Sequence, residues 1–418
     1  MKFDDYRISP DIKKSLEKLN FRKPTDIQFR VIPSVLKGED VLAIAQTGTG
    51  KTAAFAIPVI HKVQMGKIAG RANAIKCVVM VPTRELAVQI AEVFNKIGQY
   101  TRVNTINIHG GVEQEPQIAK LTKGADIIVV TPGRLFDLVS QGFIKLDKVE
   151  TVIFDEADHM LDKGFLKDLQ DLIRHLPVKR QTLFFSATIN ETIKKLAYSL
   201  VKNPIRIQLS PKDPVSKNVD HAVAFITMDD KRFFLERLIH EHPDKKILVF
   251  VRTKVRAERV IKALARMSIP AVALHGDKDQ HDRLQTLGEF RGGQHKILVA
   301  TDVSARGIDI PNVDYVVNYD IPDVPETYVH RVGRTGRAFN KGYAVAFCSE
   351  EEKPLLQAIE AYITKPVKVL DINRKDYTDT LAFTTDVNTD WKSLLREEEQ
   401  AEKAAKLKKR KKNKHPAT

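Results

Sequence analysis

Residues 45–52 read Ala-Gln-Thr-Gly-Thr-Gly-Lys-Thr. The apolar run Val41-Leu42-Ala43-Ile44 leads into this stretch, and Ala53-Ala54-Phe55-Ala56-Ile57 leads out of it. Strand, glycine-rich turn and helix form the context of a phosphate-binding P-loop, the Walker A motif. Gly48 and Gly50 let the backbone curl so that successive N–H groups face a phosphate, and the N-terminus of the next helix adds partial positive charge. Lys51 can then reach the β- and γ-phosphates, and the Thr52 hydroxyl can ligate Mg²⁺. One position departs from the pattern: it opens with Gly, and this chain has Ala45. The competing reading, a tight turn with a solvated lysine, leaves Gly-Lys-Thr in this context without a cause.

The chain has 418 residues, enough for two or three domains, and its 43% hydrophobic content allows sizeable cores. No run of apolar residues is long enough to span a bilayer, and the N-terminus lacks the apolar core of a signal peptide, so no membrane association and a cytoplasmic protein are expected. Cys77 and Cys348 lie far apart, each inside an apolar run, and read as reduced core residues rather than a disulfide or metal site. The net charge of +15 favours polyanionic partners, nucleic acid before membrane. Over half of that excess sits in residues 403–414, which hold eight Lys/Arg and no acid.

Along the chain, Ser9-Pro10 reads as a helix start, with Ile12, Leu16 and Leu19 on one face. Pro24-Thr25 begins a second helix with Gln28 about one turn in; its amide can both donate and accept, as reading an adenine edge requires. A surface glutamine is the plainer reading of that residue alone. Apolar strands follow at 77–81, 106–108, 127–130, 151–154 and 182–185, separated by helical segments. That alternation indicates a doubly wound parallel sheet. Each strand ends in a polar motif, at the carboxyl edge where open α/β sheets bind ligands. After a linker at about 209–218 a second alternation runs through strands at 222–227, 247–251, 271–274, 297–300, 315–318 and 343–348. It has no Gly-Lys-Thr, so a duplicated fold with one triphosphate site is expected. Residues 366–395 read as an extension with Trp391 as an anchor. From Arg396 the chain is charged and aperiodic, which reads as disordered or helical only when bound.

Asp155-Glu156-Ala157-Asp158 closes the 151–154 strand. A strand-end aspartate about 100 residues after a P-loop supplies the second Mg²⁺ contact, and an adjacent glutamate can orient or deprotonate water. An acidic turn or helix N-cap is the plainer reading. Taken together, the motifs resemble the DEAD-box ATP-dependent RNA helicases. The matching segments in the first half are Phe3 ahead of Phe21–Gln28 (the Q motif), Ala45–Thr52, Pro82–Ala87, Gly110-Gly111, Thr131–Arg134, Asp155–Asp158 and Ser186–Thr188. The second half adds Leu248–Thr253, Gln280-His281-Asp282-Arg283, Ala300–Ile310 and His330–Arg337. The resemblance covers roughly residues 3–365. Asn20 stands where the family usually has Gly and Val332 where Ile is common, departures expected to touch packing more than chemistry.

The resemblance implies two tandem RecA-like P-loop domains joined by a short linker, with a basic disordered C-terminal tail. The expected divisions are a lead-in carrying the Q motif (1–30), an ATP-binding domain (31–208), the linker (209–218), a second helicase domain (219–365), an extension (366–395) and the tail (396–418). It implies ATP and Mg²⁺ as cofactors. Phe21 stacks on adenine and Gln28 reads its edge. Ala45, Gln46, Thr47, Gly48, Thr49, Gly50, Lys51 and Thr52 wrap the phosphates, and Asp309 reaches the ribose. Thr52 and Asp155 hold Mg²⁺, partly through water, and Glu156 positions the hydrolytic water. Arg334 and Arg337 act as arginine fingers from the second domain, where a solvated basic helix or RNA contacts are the plainer reading of the arginines around His330. Asp158, Ser186, Ala187, Thr188 and His330 couple the nucleotide site to RNA. The RNA-facing residues implied are Arg84, Gly110, Gly111, Thr131, Pro132, Gly133, Arg134, Gln280, Arg283, Thr301 and Asp302.

The activity this implies is an RNA-stimulated ATPase that unwinds short RNA duplexes locally or remodels RNA–protein complexes, with phosphate and sugar contacts and little sequence preference. An ATP-gated RNA clamp or annealing factor uses the same motifs. A DNA translocase shares the P-loop and fingers and is disfavoured by Asp-Glu-Ala-Asp and the Q motif. A monomer is expected, with ribosome-assembly or RNA-decay proteins as partners.

Overall fold

The computed structural model describes residues 2–46, 48–70, 74–189, 191–209, 215, 218–305, 310, 313–336, 341–372 and 374–383. Thr47, Asp309, Arg337, most of the expected linker, Trp391 and the basic tail therefore lie outside the described residues.

The first half carries seven strands: β1 (Val41–Ile44), β2 (Cys77–Met80), β3 (Thr105–Ile108), β4 (Ile127–Val130), β5 (Thr151–Phe154), β6 (Gln181–Ser186) and β7 (Ile205–Gln208). The second half carries β8 (Val219–Phe225), β9 (Ile247–Val251), β10 (Val272–Leu274), β11 (Ile297–Thr301), β12 (Tyr315–Asn318), β13 (Gly342–Cys348) and β14 (Lys368–Val369). All pairings within the two sheets are parallel. The strand orders are β3-β4-β2-β5-β6-β1-β7 and β10-β11-β9-β12-β13-β8-β14. Counted within each half these are the same order, so the halves are two copies of one α/β architecture, the tandem RecA-like layout expected from the sequence.

Each continuous apolar run is explained by burial on both faces. Val41 and Ala43 of β1 belong to the core on one side of the sheet. Leu42 and Ile44 belong to the core on the other side. In β9, Leu248 and Phe250 face one core while Ile247, Val249 and Val251 face the other. A strand covered on both faces has no polar position to alternate with.

Two strands were not anticipated. β7 lies on the sheet edge with only Ile207 buried, and β14 is two exposed residues added beside β8. Neither offers an apolar run. β14 also carries the second sheet past residue 365, and the helix Arg374–Phe383 packs beyond it against the helix Lys231–Glu241.

The helix Pro10–Lys18 starts after Ser9 as the sequence indicates, and buries Ile12 and Leu16. Asn20 has φ 58°, the left-handed region where glycine is the default and asparagine the next best tolerated residue. Its departure from the family pattern is thus a matter of backbone conformation rather than packing. Val332 is fully buried in the second core, so that departure does concern packing. Cys77 and Cys348 are both buried and free, as read from the sequence. Among the described residues no helix is long and apolar enough to cross a membrane.

Candidate active site

The strand order divides each carboxyl edge into two regions. In the first domain β1, β6 and β5 are neighbours, so the P-loop after β1, Ser186 at the end of β6 and Asp155 after β5 converge. β2, β4 and β3 are also neighbours, which gathers Arg84, Thr131–Arg134 and Gly110-Gly111 on the other half of the edge.

The P-loop is held from two sides. Ala45 N donates to Ser186 O at 3.0 Å, prolonging the β1–β6 ladder by one residue, and its methyl group is buried. Ala45 is thus an extended strand position rather than a turn, which explains why the motif tolerates a residue other than Gly there. Thr49 Oγ1 donates to Gln46 O, and Thr25 Oγ1 donates to Thr49 O, both at 2.8 Å. Gly50 has φ 92°, and a Cβ built there would lie 2.5 Å from Gln28 Nε2. Only glycine permits that approach.

Gln28 is buried, not a surface residue. It is the third residue of the helix Asp26–Lys37, capped by Thr25, whose N–H donates to Gln28 Oε1 at 3.0 Å. Its Nε2 donates to Gly50 O at 3.2 Å. The amide therefore ties the Q-motif helix to the P-loop, using one acceptor and one donor position and leaving one of each. Phe21 is partly buried, with its ring against Phe3 edge-to-face at a centroid distance of 5.8 Å.

Lys51 opens the helix Lys51–Ile68, with Thr52 half-buried beside it. Its ammonium is buried and meets no hydrogen-bond partner among the described residues. A buried cation in that condition calls for a ligand. Burial pushes the neighbouring Asp155 carboxyl up to about 7; the Lys51 charge opposes the rise, and Glu156 adds to it. A buried ammonium, a buried carboxylate beside it and a glycine-walled cradle fit a polyphosphate with a divalent cation. Lys51 and Thr52 could hold the phosphates, and Thr52 and Asp155 could hold the metal.

Glu156 has φ 55° and ψ 48° and caps the short helix Ala157–Asp162. A non-glycine residue in that region stores backbone strain of order 1–3 kcal/mol, which is found where a side chain must be aimed. Asp158 is buried and accepts from Ala187 N at 3.1 Å, Thr188 N at 3.0 Å and Thr188 Oγ1 at 3.1 Å. Burial works against its ionisation, but Lys51, His330 and the Thr188 hydrogen bonds outweigh it and hold the carboxyl below its usual value. Among the described residues Ser186 takes no part in that network, and its buried hydroxyl finds no partner there.

A cleft of about 450 Å³ lies between the domains. From the first domain it is lined by Glu156, Asp158, Ala187 and Thr188, and from the second by Glu326, His330, Arg334 and Tyr362. Arg334 is buried, with Nε donating to His330 O at 3.2 Å. Arg331 and Arg334 are thus not solvated. Arg331 is fully buried; its guanidinium grips both Asp302 oxygens at 2.5 and 2.7 Å, and its Nη1 donates to Asn318 Oδ1 and Asp320 O. Arg331 thereby fixes the short helix Asp302–Ala305 to the helix Pro325–Val332, which carries His330 and leads into Arg334.

On the other half of the first edge, Gly111 has φ 75°, and the Arg84 guanidinium occupies the space a Cβ would take. Arg134 Nη2 donates to Val112 O at 3.0 Å. Thr131 caps the helix Pro132–Ser140, whose first turn presents Gly133 to solvent. Burial lowers the nearby His109, with help from Arg84 and Arg134, so these cations lie together. In the second domain Gln280 opens the helix Gln280–Gly292, Thr301 ends β11, and Thr301 Oγ1 donates to Ser304 Oγ. Among the described residues two of these candidates form ion pairs: Asp302 is held by Arg331, and Arg283 pairs with Glu85 of the first domain at 2.8 Å. Glu85 was passed over in the sequence; its signal was a buried-side acid in the first turn of the helix Arg84–Ile97.

The sequence profile of the DEAD/DEAH box helicase family matches residues 25–196, and that of the helicase conserved C-terminal domain matches residues 230–339. The DEAD-box ATP-dependent RNA helicase CshA of Geobacillus kaustophilus is 41% identical over 358 residues, 86% of this chain and 76% of that one. Saccharomyces cerevisiae Dbp5 bound to RNA and ADP BeF3 superposes with a TM-score of 0.81 at 30% identity, covering 91% of this chain and 98% of that one. The DEAD-box helicase Mss116 bound to ssRNA and UDP-BeF gives 0.81 at 26% identity, covering 92% and 82%.

Proposed function

The chain belongs to the DEAD-box ATP-dependent RNA helicases, enzymes that hydrolyse ATP, and from that premise we propose that it binds single-stranded RNA without reading sequence and opens short RNA duplexes or remodels RNA–protein complexes locally. The observation that carries this reading is the shared cleft: Glu156 and Asp158 come from one domain, His330 and Arg334 from the other.

The nucleotide is held by the first domain. Lys51 and the P-loop N–H groups take the phosphates, Phe21 and Gln28 the base. Mg²⁺, when bound by Thr52 and Asp155, supplies charge neutralisation on the phosphates. Glu156 orients the attacking water. Arg334 reaches the developing phosphoryl charge only when the second domain is in place, with Arg337 as its partner and Asp309 on the ribose. Hydrolysis is therefore conditional on closure.

RNA lies across the β3-β4-β2 and β10-β11 ends, on Arg84, the Gly110 and Gly111 backbone, the helix start at Thr131–Arg134, Gln280 and Thr301. Backbone N–H groups and guanidinium groups of this kind fix a sugar-phosphate strand and carry no sequence information. A strand bound by both domains favours the closed state, and loss of the γ-phosphate releases it.

Strand displacement on a short blunt RNA duplex tests the reading. ATP supports displacement with turnover, and a non-hydrolysable analogue supports at most a single round. A protein that binds RNA under both nucleotides and separates no strands is a clamp instead. Stimulation of hydrolysis by DNA equal to that by RNA of the same sequence assigns it to DNA.

A further inference from the structure

The helix that begins with Lys51 reaches well beyond the phosphate cradle. Ten residues on, about 15 Å along its axis, His61 Nδ1 accepts from Ser9 N at 3.1 Å. One turn further, Gln64 Nε2 donates to Asp11 Oδ2 at 3.4 Å. Ser9 is the N-cap of the helix Pro10–Lys18, and Asp11 is its second residue. The start of that helix is therefore held by the helix Lys51–Ile68.

The other end of the helix Pro10–Lys18 presents Phe21. Asn20 N donates to Glu17 O and Phe21 N donates to Leu16 O, both at 2.9 Å, with Asn20 in the left-handed conformation between them. That pair of bonds is a Schellman cap, so the Phe21 backbone is fixed to the last turn. Residues before Ser9 fold back over the same ring. Phe3, Tyr6 and Ile8 are buried, and the Phe3 ring meets Phe21 edge-to-face.

The bond at Ser9 has a definite chemistry. A backbone N–H can only donate, so His61 is neutral there and Nδ1 is its acceptor. Burial acts in the same direction, holding the imidazole below its ordinary pKa. Ser9 is buried and makes no side-chain cap, and its hydroxyl meets no hydrogen-bond partner among the described residues. Loss of the His61 acceptor leaves the Ser9 N–H unpaired in a buried place, which disfavours this seating of the helix.

We propose that His61 is a positioning residue for the adenine subsite: by holding Ser9 it sets the helix Pro10–Lys18, and with it the Phe21 ring, at a fixed distance from Lys51. It acts through Ser9 rather than on the nucleotide. The proposal rests on the reading that Phe21 takes the base.

The test compares ATP with tripolyphosphate, which carries the phosphates and no base. Affinities for both magnesium complexes, steady-state ATPase and melting temperature are measured on full-length Phe21→Ala, His61→Leu and His61→Asn. The leucine cannot accept a hydrogen bond, whereas the amide oxygen introduced by His61→Asn stands near the position of Nδ1 and can. His61→Leu is expected to weaken ATP binding roughly 3- to 10-fold, with tripolyphosphate affinity and kcat at saturating ATP unchanged. His61→Asn is expected to restore most of the loss. Undiminished ATP affinity in Phe21→Ala overturns the base reading and the proposal with it. A loss in Phe21→Ala but none in His61→Leu leaves the base reading standing and overturns the role of His61. Equal losses for ATP and tripolyphosphate make His61 a support of the P-loop. A lowered melting temperature with ATP affinity kept makes it a support of the fold. Either overturns the proposal, as does a His61→Asn variant no better than His61→Leu.

Discussion

Arg283 of the second domain and Glu85 of the first meet at 2.8 Å where the two domains touch, with Glu85 almost wholly buried and Arg283 partly so. Glu85 sits in the first turn of the helix after β2, on the half of the carboxyl edge formed by β2, β4 and β3, where the RNA contacts are proposed. The pair exists only while the domains are in contact. It is a direct means by which that half of the cleft favours the closed state.

Arg283→Ala leaves the Glu85 carboxylate buried and unpaired in the closed form, at a cost of about 1–3 kcal/mol. RNA affinity in the presence of a non-hydrolysable ATP analogue should fall roughly 5- to 150-fold. RNA-free ATP binding should not change. The exchange Glu85→Arg with Arg283→Glu should recover part of the loss. RNA binding titrations with and without the analogue check this; an equal loss under both conditions would make Arg283 a simple RNA contact.

Lys51→Ala and Glu156→Gln should separate binding from turnover. The first removes the buried ammonium aimed at the phosphates and should weaken nucleotide binding itself. The second keeps the phosphate and metal ligands and should bind nucleotide normally while losing most hydrolysis. Nucleotide affinity and steady-state ATPase of both variants are the measurements. Undiminished turnover in Glu156→Gln would remove that residue from its role.

Gln28 is buried with one donor and one acceptor position to spare. An adenine edge complements that pair, and a guanine edge presents a carbonyl where adenine has an amino group. Mismatched buried polar groups cost about 1–3 kcal/mol, or roughly 5- to 150-fold against GTP. Comparing RNA-stimulated kcat/KM for ATP and GTP tests this; equal values would contradict the assignment.

The basic run 403–414 should act on RNA through its phosphates. For single strands log K falls with log salt by about 0.7 per neutralised phosphate, so eight engaged cations add roughly 5 to 6 to that slope. A chain ending at Glu399 should bind RNA more weakly at low salt, with a shallower salt dependence, and keep its kcat at saturating RNA. Binding isotherms from low to physiological salt decide it, and identical slopes would mean that the run does not touch RNA.

Much of the fold was legible because strands buried on both faces leave an unmistakable apolar run, as in Cys77–Met80 and Ile127–Val130. β7 and β14 were not, because an edge strand needs little burial and its neighbours decide whether it pairs. Residues carried by contiguous motifs could be singled out from the sequence, and the structure sets some of them side by side, as Gln28 with Gly50. Partners joined by long separations could not be singled out: Glu85 with Arg283, or Arg331 with Asp302, depend on how two domains and a sheet edge fold together. Lys231 is another such residue, an ordinary lysine in sequence that is fully buried and bonded to Glu352 at 2.5 Å and to Tyr319 O. No local pattern marks it.

Completion of the ATP site by the second domain, as proposed above, is probed by Arg334→Ala. Steady-state ATPase is measured over a range of ATP at saturating RNA. kcat is expected to fall by at least about a hundredfold while nucleotide binding in the absence of RNA is unchanged, since a guanidinium that acts on the developing charge is felt in the transition state. A variant that keeps its kcat and raises only KM would make Arg334 a ground-state ligand, and would contradict the claim that closure completes the catalytic site.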